Sequence, residues 1–193
     1  MRIVAGRLKG RRLIPPSDDS IRPTSERARQ ALFNILAHGP LGEAGFAGLA
    51  VLDVCAGTGA FGFEALSRGA TRATFLDNGA AAVHLIEANG RALGVAEQCV
   101  VLRRDARQPG PAPLTHQLAF LDPPYDQDLA AAILTALVAA GWLASGAIVA
   151  SESRGGAAQV APAGFQPFDE RRYGKARLVL LRYDPRRPTA PIC

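Results

Sequence analysis

Most of this chain alternates short apolar runs with stretches of helical spacing. Leu49–Val54, Ala73–Leu76, Val100–Arg103, Leu118–Leu121 and Ala147–Ser151 are apolar on successive residues rather than on every second one. That pattern predicts strands buried on both faces. Between them Ala60–Arg68, Gly79–Leu93 and Asp128–Ala140 read as helices, the last opened by Asp126 or Asp128. Strand–helix alternation of this kind predicts a parallel sheet with helices on both faces. The ending differs. Phe165–Tyr173 and Ala176–Tyr183 flank Gly174-Lys175, which predicts an antiparallel hairpin that completes a mostly parallel sheet of seven strands. The fold class is α/β.

The first 47 residues do not follow this rhythm. Residues 1–14 place Ile3, Leu8, Leu13 and Ile14 among Arg7, Lys9, Arg11 and Arg12, with Gly6 and Gly10 interrupting. The expectation is a short basic β-ribbon, or an arm that orders on RNA. Pro15–Ser20 is a polar loop. Arg22-Pro23-Thr24-Ser25 leads into a helix over Glu26–Leu36, capped by Thr24 or Ser25, with Ala28, Leu32, Ile35 and Leu36 as its apolar stripe. Arg22, Arg27 and Arg29 are then available to phosphate or to a cofactor carboxylate. His38–Gly48 is a glycine-rich connection. The expected organisation is a basic extension over 1–47, a catalytic domain over 48–183 and a flexible tail over 184–193.

Charge sharpens this division. The net charge is +5, and residues 1–40 hold eight Arg or Lys against Asp18, Asp19 and Glu26, so the whole excess lies in the extension. Such asymmetry suggests a polyanionic partner. No apolar run approaches the ~20 residues of a membrane span, and the N-terminus lacks a secretory pattern. Cys55, Cys99 and Cys193 support neither a disulfide framework nor a zinc site. The expected location is the cytoplasm.

Two motifs carry chemistry. Val51-Leu52-Asp53-Val54-Cys55-Ala56-Gly57-Thr58-Gly59-Ala60-Phe61-Gly62 joins the first predicted strand to a helix, and Gly57, Gly59 and Gly62 fit G-x-G-x-x-G. Asp77 ends the second strand, where an acid binds ribose hydroxyls. Asp105, followed by Ala106 after the third strand, is placed to accept from an adenine amino group. Together these describe an adenosine site. A nicotinamide enzyme would need a hydride-transfer site with a proton donor, and His38, His84 and His116 lack that context.

The second motif is Asp122-Pro123-Pro124-Tyr125, at the mouth of the fourth strand. Each proline fixes its own φ, extends the residue before it and has no N–H. The carbonyls of Asp122 and Pro123 can therefore face outward as acceptors beside the Asp122 carboxylate. Tyr125 offers a flat stacking face. Acceptors beside a stacking platform suit a planar base with an exocyclic amine. Alone, Asp-Pro is also a common turn dipeptide.

Asp122–Tyr125 resembles the amino-methyltransferase signature of DNA and RNA enzymes that methylate exocyclic amines. Met1-Arg2-Ile3-Val4-Ala5-Gly6, Arg22-Pro23-Thr24 and Asp53–Leu66 with Ser67-Arg68-Gly69-Ala70 narrow it to the RsmD type of 16S ribosomal RNA guanine-N2 methyltransferase. The resemblance implies a Rossmann-like class I fold that uses S-adenosylmethionine. It implies cofactor contacts from Arg22, Thr24, Asp53, Ala56, Gly57, Thr58, Gly59, Asp77, Asp105 and Ala106, and catalysis by Asp122, Pro123, Pro124 and Tyr125. Arg2, Arg7, Lys9, Arg11, Arg12 and Arg27 would contact RNA, in an assembled or assembling small subunit, with the enzyme a monomer. Asp77 stands where the family often has Glu, and Tyr173–Arg177 lacks an expected Thr. The alternatives are a DNA adenine-N6 or cytosine-N4 methyltransferase, a non-catalytic RNA-binding protein and, more distantly, a nicotinamide oxidoreductase.

Overall fold

Seven strands make one sheet: β1 (Ala50–Val54), β2 (Arg72–Asp77), β3 (Cys99–Arg103), β4 (His116–Leu121), β5 (Leu143–Arg154), β6 (Phe165–Tyr173) and β7 (Ala176–Tyr183). Their spatial order is β3-β2-β1-β4-β5-β7-β6. The first five run parallel, and β7 pairs antiparallel with both β5 and β6. This is the mostly parallel sheet with a terminal hairpin that the sequence predicts. The computed structural model describes residues 1–16, 26–123, 127–154, 161–173 and 176–186. Gly174-Lys175, the helix caps at Thr24 and Ser25, and Asp126 lie outside them.

Four helices cover the sheet: α1 (Glu26–His38), α2 (Ala60–Ser67), α3 (Ala80–Leu93) and α4 (Gln127–Ala139). α1, α2 and α3 contribute to one core with Val51, Leu118, Phe120 and Ile148, while α4 packs over Leu52, Val54, Ala119 and Val149 on the opposite face. The β3–β4 crossover has no helix. Its Pro- and Gly-rich chain is held instead by Arg104 donating to the Pro109 carbonyl (2.6 Å) and Trp142 Nε1 to the Gly110 carbonyl (2.8 Å). Among the described residues no helix is long and apolar enough to cross a membrane.

β4 and β5 outrun their apolar runs through partners that hydropathy does not register. β4 begins at His116, which is fully buried between the Trp142 carbonyl and the Thr74 hydroxyl, each 2.9 Å from a ring nitrogen. β5 continues to Arg154 because Ile148–Arg154 pairs with Arg182–Ala176 of β7. Backbone pairing needs no apolar side chain, so hydropathy does not register it.

The N-terminal residues form a hairpin, bridged at Arg2 and Arg12, with Ile3, Leu8 and Leu13 buried. Burying such side chains contributes about 1.5–3 kcal/mol each. Its backbone is also bonded to α2: Val4 and Ala5 donate to the Glu64 carboxylate (2.8 and 3.0 Å), and Arg7 donates to the Ser67 carbonyl (2.8 Å). The N-terminal segment is thus a hairpin packed on α2.

α1 corrects the predicted stripe. Its buried residues are Arg29, Leu32, Phe33 and Leu36. Arg29 is not available to phosphate or cofactor: it is wholly buried, donates to the Arg2 carbonyl and lies 3.7 Å from Glu64. A cation can occupy this core position because Glu64, equally buried, supplies the opposite charge and also accepts from Arg68 Nε (2.8 Å).

Candidate functional site

Parallel strands present their carboxyl ends at one edge, and the order of this sheet reverses between β1 and β4. Ligands in open α/β sheets bind at such a crevice. Val54 at the end of β1 pairs with Leu76 on one side and Leu121 on the other. The glycine loop after β1, Asp77 at the end of β2 and Asp122-Pro123 after β4 therefore share this edge. Neighbouring strands are about 4.8 Å apart.

The glycine loop is braced by three polar side chains from three elements. Asp53, 1% exposed on β1, accepts from Gly62 N–H at 2.9 Å. Asp77 accepts from Gly57 N–H (2.9 Å) and Gly79 N–H (2.8 Å), joining the loop to the start of α3. Asn89, buried on α3, donates to the Thr58 carbonyl at 3.2 Å. Gly62 lies in the first turn of α2, where a backbone N–H has no intrahelical acceptor, and Asp53 supplies one. Thr58 precedes the N-cap Gly59, so its carbonyl lies outside the helical ladder, and the Asn89 amide supplies it with a donor.

The third glycine is set by packing rather than by ligand approach. A Cβ on Gly62 would sit 2.3 Å from the Phe75 ring on β2. Cys55 takes a left-handed φ of 57°, unusual for a residue with a side chain, at the turn out of β1. Its N–H donates to the Leu76 carbonyl at 2.8 Å, which holds the turn.

This edge is electronegative. Burial pushes the Cys55 thiol up to about 12, with the charges of Asp77, Asp122, Asp53 and Asp105 adding in the same direction. Burial likewise raises Asp53 to about 8. The Gly62 N–H opposes that shift, and the nearby charges of Asp122 and Asp77 reinforce it. A cationic group would be favoured here, and a second anion would not.

The other expected residues are distributed as follows. Ala56 and Thr58 are buried in the loop, and Gly57 is partly exposed. Asp105 and Ala106 follow β3, one strand beyond Asp77. The Asp105 carboxylate is held by Arg107, at 2.6 Å from Nη2 and 2.8 Å from the backbone N–H, and this contact lowers its pKa. Asp122 and Pro123 are half-buried. Arg22, Thr24, Pro124 and Tyr125 lie outside the described residues.

The basic residues are not gathered at the same edge. Gly6 and Arg7, at the tip of the hairpin, sit on Ser67 at the end of α2, and Arg7 donates to Gln98, just before β3 (2.5 Å). Both contacts are at the amino edge of the sheet, roughly 17 Å from the carboxyl edge for a five-residue strand. Arg11 donates to the Ala92 carbonyl, Arg2 pairs with Glu26 at 3.1 Å, and Lys9, Arg12 and Arg27 are exposed.

Glu64, Ser67 and Asn89 escaped the sequence reading. A signal existed for two of them. Asn89 continues the stripe of Ala82, Ile86 and Leu93, and Glu64 stands alone in the apolar helix AFGFEALS. A polar side chain on a buried helical face must have a partner.

Residues 1–182 match the family described as conserved hypothetical protein 95. Ribosomal RNA small subunit methyltransferase D of Escherichia coli is 34% identical over 153 residues, covering 79% of this chain and 74% of that protein. A solved Escherichia coli structure, yhhF, superposes with a TM-score of 0.80 at 31% identity, over 96% of this chain and 99% of its own. An RNA methyltransferase from Salinibacter ruber in complex with S-adenosyl-L-homocysteine shares the fold, with a TM-score of 0.64 at 12% identity over 88% and 98% of the two chains.

Proposed function

Because the chain belongs to the conserved hypothetical protein 95 family, the RsmD type of methyltransferase, we propose that it methylates the exocyclic N2 amine of a guanine in small-subunit ribosomal RNA. The observation that carries this reading is the pairing of Val54 with Leu121, which sets the braced glycine loop beside Asp122-Pro123. S-adenosylmethionine is the cofactor this site fits. Its loop has tight turns, its acids favour a cation, and Asp77 keeps further lone pairs beyond its two backbone donors. When bound, that group supplies an electrophilic methyl on a sulfonium.

The protein's own part is positioning. The guanine amine is conjugated into its ring and is a poor nucleophile. Acceptors at Asp122 and the Pro123 carbonyl would hold its N–H groups and aim the lone pair at the methyl carbon. They also complement the positive charge that develops on nitrogen. With the methyl group supplied by the bound cofactor, the amine held at Asp122 and Pro123 would accept it and afterwards release its proton to solvent. Tyr125 would stack the unpaired base. Arg22 and Thr24 would complete the cofactor contacts.

In this reading residues 1–47 are the recognition extension, 48–183 the catalytic domain and 184–193 a tail. The cations of the hairpin and Arg27 contact phosphate, and those at the hairpin tip do so at the edge opposite the one the target base enters. Such a footprint suits a folded RNA met in an assembling small subunit in the cytoplasm, with the enzyme acting as a monomer. The test is radiolabelled methyl transfer to unmodified small subunits, naked 16S RNA and duplex DNA in parallel, followed by nucleoside digestion. N2-methylguanosine from the subunit or its RNA supports the reading. Label confined to DNA, as methyladenine or methylcytosine, overturns the substrate.

A further inference from the structure

We infer that Asn89 is a positioning residue that couples docking of the N-terminal hairpin to the geometry of the cofactor loop. This rests on the reading that the glycine loop binds S-adenosylmethionine.

The argument begins with an amide used at every functional atom. Asn89 is completely buried on α3. Its Oδ1 accepts from Ile14 N–H at 2.7 Å, and its Nδ2 donates to the Ile14 carbonyl at 3.4 Å and to the Thr58 carbonyl at 3.2 Å. Ile14 leaves the hairpin, 75 residues from Asn89 in sequence, and Thr58 is the centre of the glycine loop. No other described side chain bonds to both segments.

The two ends of this bridge are differently supported. Ile14 is 43% exposed and is followed by Pro15, so packing holds it weakly. Thr58 is 4% exposed, and its carbonyl, ahead of the N-cap Gly59, has no place in the helical ladder of α2. If Ile14 departs, the amide has no second strand of contacts to fix its rotamer, and the Thr58 carbonyl loses its oriented donor. The loop then samples other conformations, and cofactor binding must restore the bound one. Linkage is reciprocal: an RNA that seats the hairpin raises affinity for the cofactor, and bound cofactor favours the seated hairpin.

The measurement is S-adenosylhomocysteine titration by calorimetry on the full chain, comparing Ile14→Pro and Asn89→Ala with the natural protein. Ile14→Pro removes the N–H that Asn89 Oδ1 accepts and fixes φ at an exposed residue already followed by Pro15, while Asn89 and the loop sequence stay intact. The expected result is a Kd raised five- to tenfold in both variants with binding stoichiometry preserved. KM for S-adenosylmethionine should rise and kcat at saturation stay near its original value. A purely structural role would instead lower the fraction of competent sites at unchanged Kd, and that result overturns the proposal. Kd within twofold of the natural protein in Ile14→Pro overturns it too. Failure of the natural protein itself to bind S-adenosylhomocysteine would overturn the cofactor reading and this inference together.

Discussion

Asp53 and Asp122 are both aspartates at strand ends, yet burial separates their roles. Asp122 is half-buried at the mouth and can face a substrate amine, whereas Asp53 lies beneath the loop and holds Gly62. Asp122→Ala should therefore lower kcat by on the order of 100-fold, the scale of lost positioning. Affinity for S-adenosylhomocysteine should stay within a few-fold, and equal loss of both would sink the assignment. Asp53 makes a different prediction. Its folded pKa of about 8 lies above its ordinary value of 3.8, so the folded state holds the proton more tightly. The stability this contributes is present below the unfolded pKa and is lost as pH rises through the folded one. Between pH 6.5 and 8 the midpoint of urea unfolding should fall, with a slope of up to about 1.4 kcal/mol per pH unit. Asp53→Asn, whose side-chain oxygen can still accept from Gly62, should flatten that slope. A cationic cofactor should reduce it as well. His116 acts oppositely. Burial depresses its pKa, so its contribution is present above its ordinary value and disappears as pH falls through the folded one.

Among the elements, α2 is the junction. Its first turn closes the glycine loop, its middle buries Glu64 between Arg29 and Arg68, and its last residue carries the hairpin. Glu64→Ala would remove the acceptor for Val4 and Ala5 and leave Arg29 buried without a counter-charge. Breaking a buried pair in this way costs about 3–5 kcal/mol. Chemical denaturation should register that loss, and limited proteolysis should cut first within residues 1–16. Gly6 tests the same contact from the other side. At φ +79°, a Cβ there would lie 1.9 Å from the Ser67 carbonyl oxygen. Gly6→Ala should therefore loosen the hairpin, whereas Gly10→Ala, with open space around it, should carry only the backbone penalty of its positive φ. Equal protease sensitivity of the two variants would count against docking through this turn.

For the whole molecule, the sheet separates chemistry from charge. The proposed catalytic corner is at the carboxyl edge, and the tip of the basic hairpin is at the amino edge. On the far side, Leu121 pairs with Ser151, and β5 continues to Arg154 beside β7, rising about 10 Å past the end of β4. An RNA that contacted both features would have to reach around this body. Arg7→Ala with Lys9→Ala should weaken RNA binding and reduce the slope of log K against log salt by roughly 0.7–0.9 for each phosphate the protein ceases to neutralise. Turnover at saturating RNA should be unchanged, because neither side chain is near the mouth. A salt slope equal to that of the natural protein, measured by filter binding, would remove the hairpin tip from the RNA footprint.

Local pattern carried most of the architecture. Every core strand and helix was legible, because buried parallel strands and amphipathic helices leave repeats in hydropathy that no distant residue needs to confirm. The motif-bearing ends of β1, β2 and β4 were legible for the same reason, since the ends of parallel strands meet at one edge. Partnership across distance was not legible. Arg29 reads as a surface cation until Glu64 is placed beside it, and Asn89 reads as ordinary helix until Ile14 and Thr58 arrive from 75 and 31 residues away. The length of β5 depended on β7 in the same way. A buried polar group is tolerable only with its partner, and the partner is chosen by folding rather than by neighbours in the chain. Thus the fold and the meeting of the motif-bearing strand ends at one edge lay in the order of residues, while the braces that hold the glycine loop and seat the hairpin arose only when α1, α2 and α3 packed together.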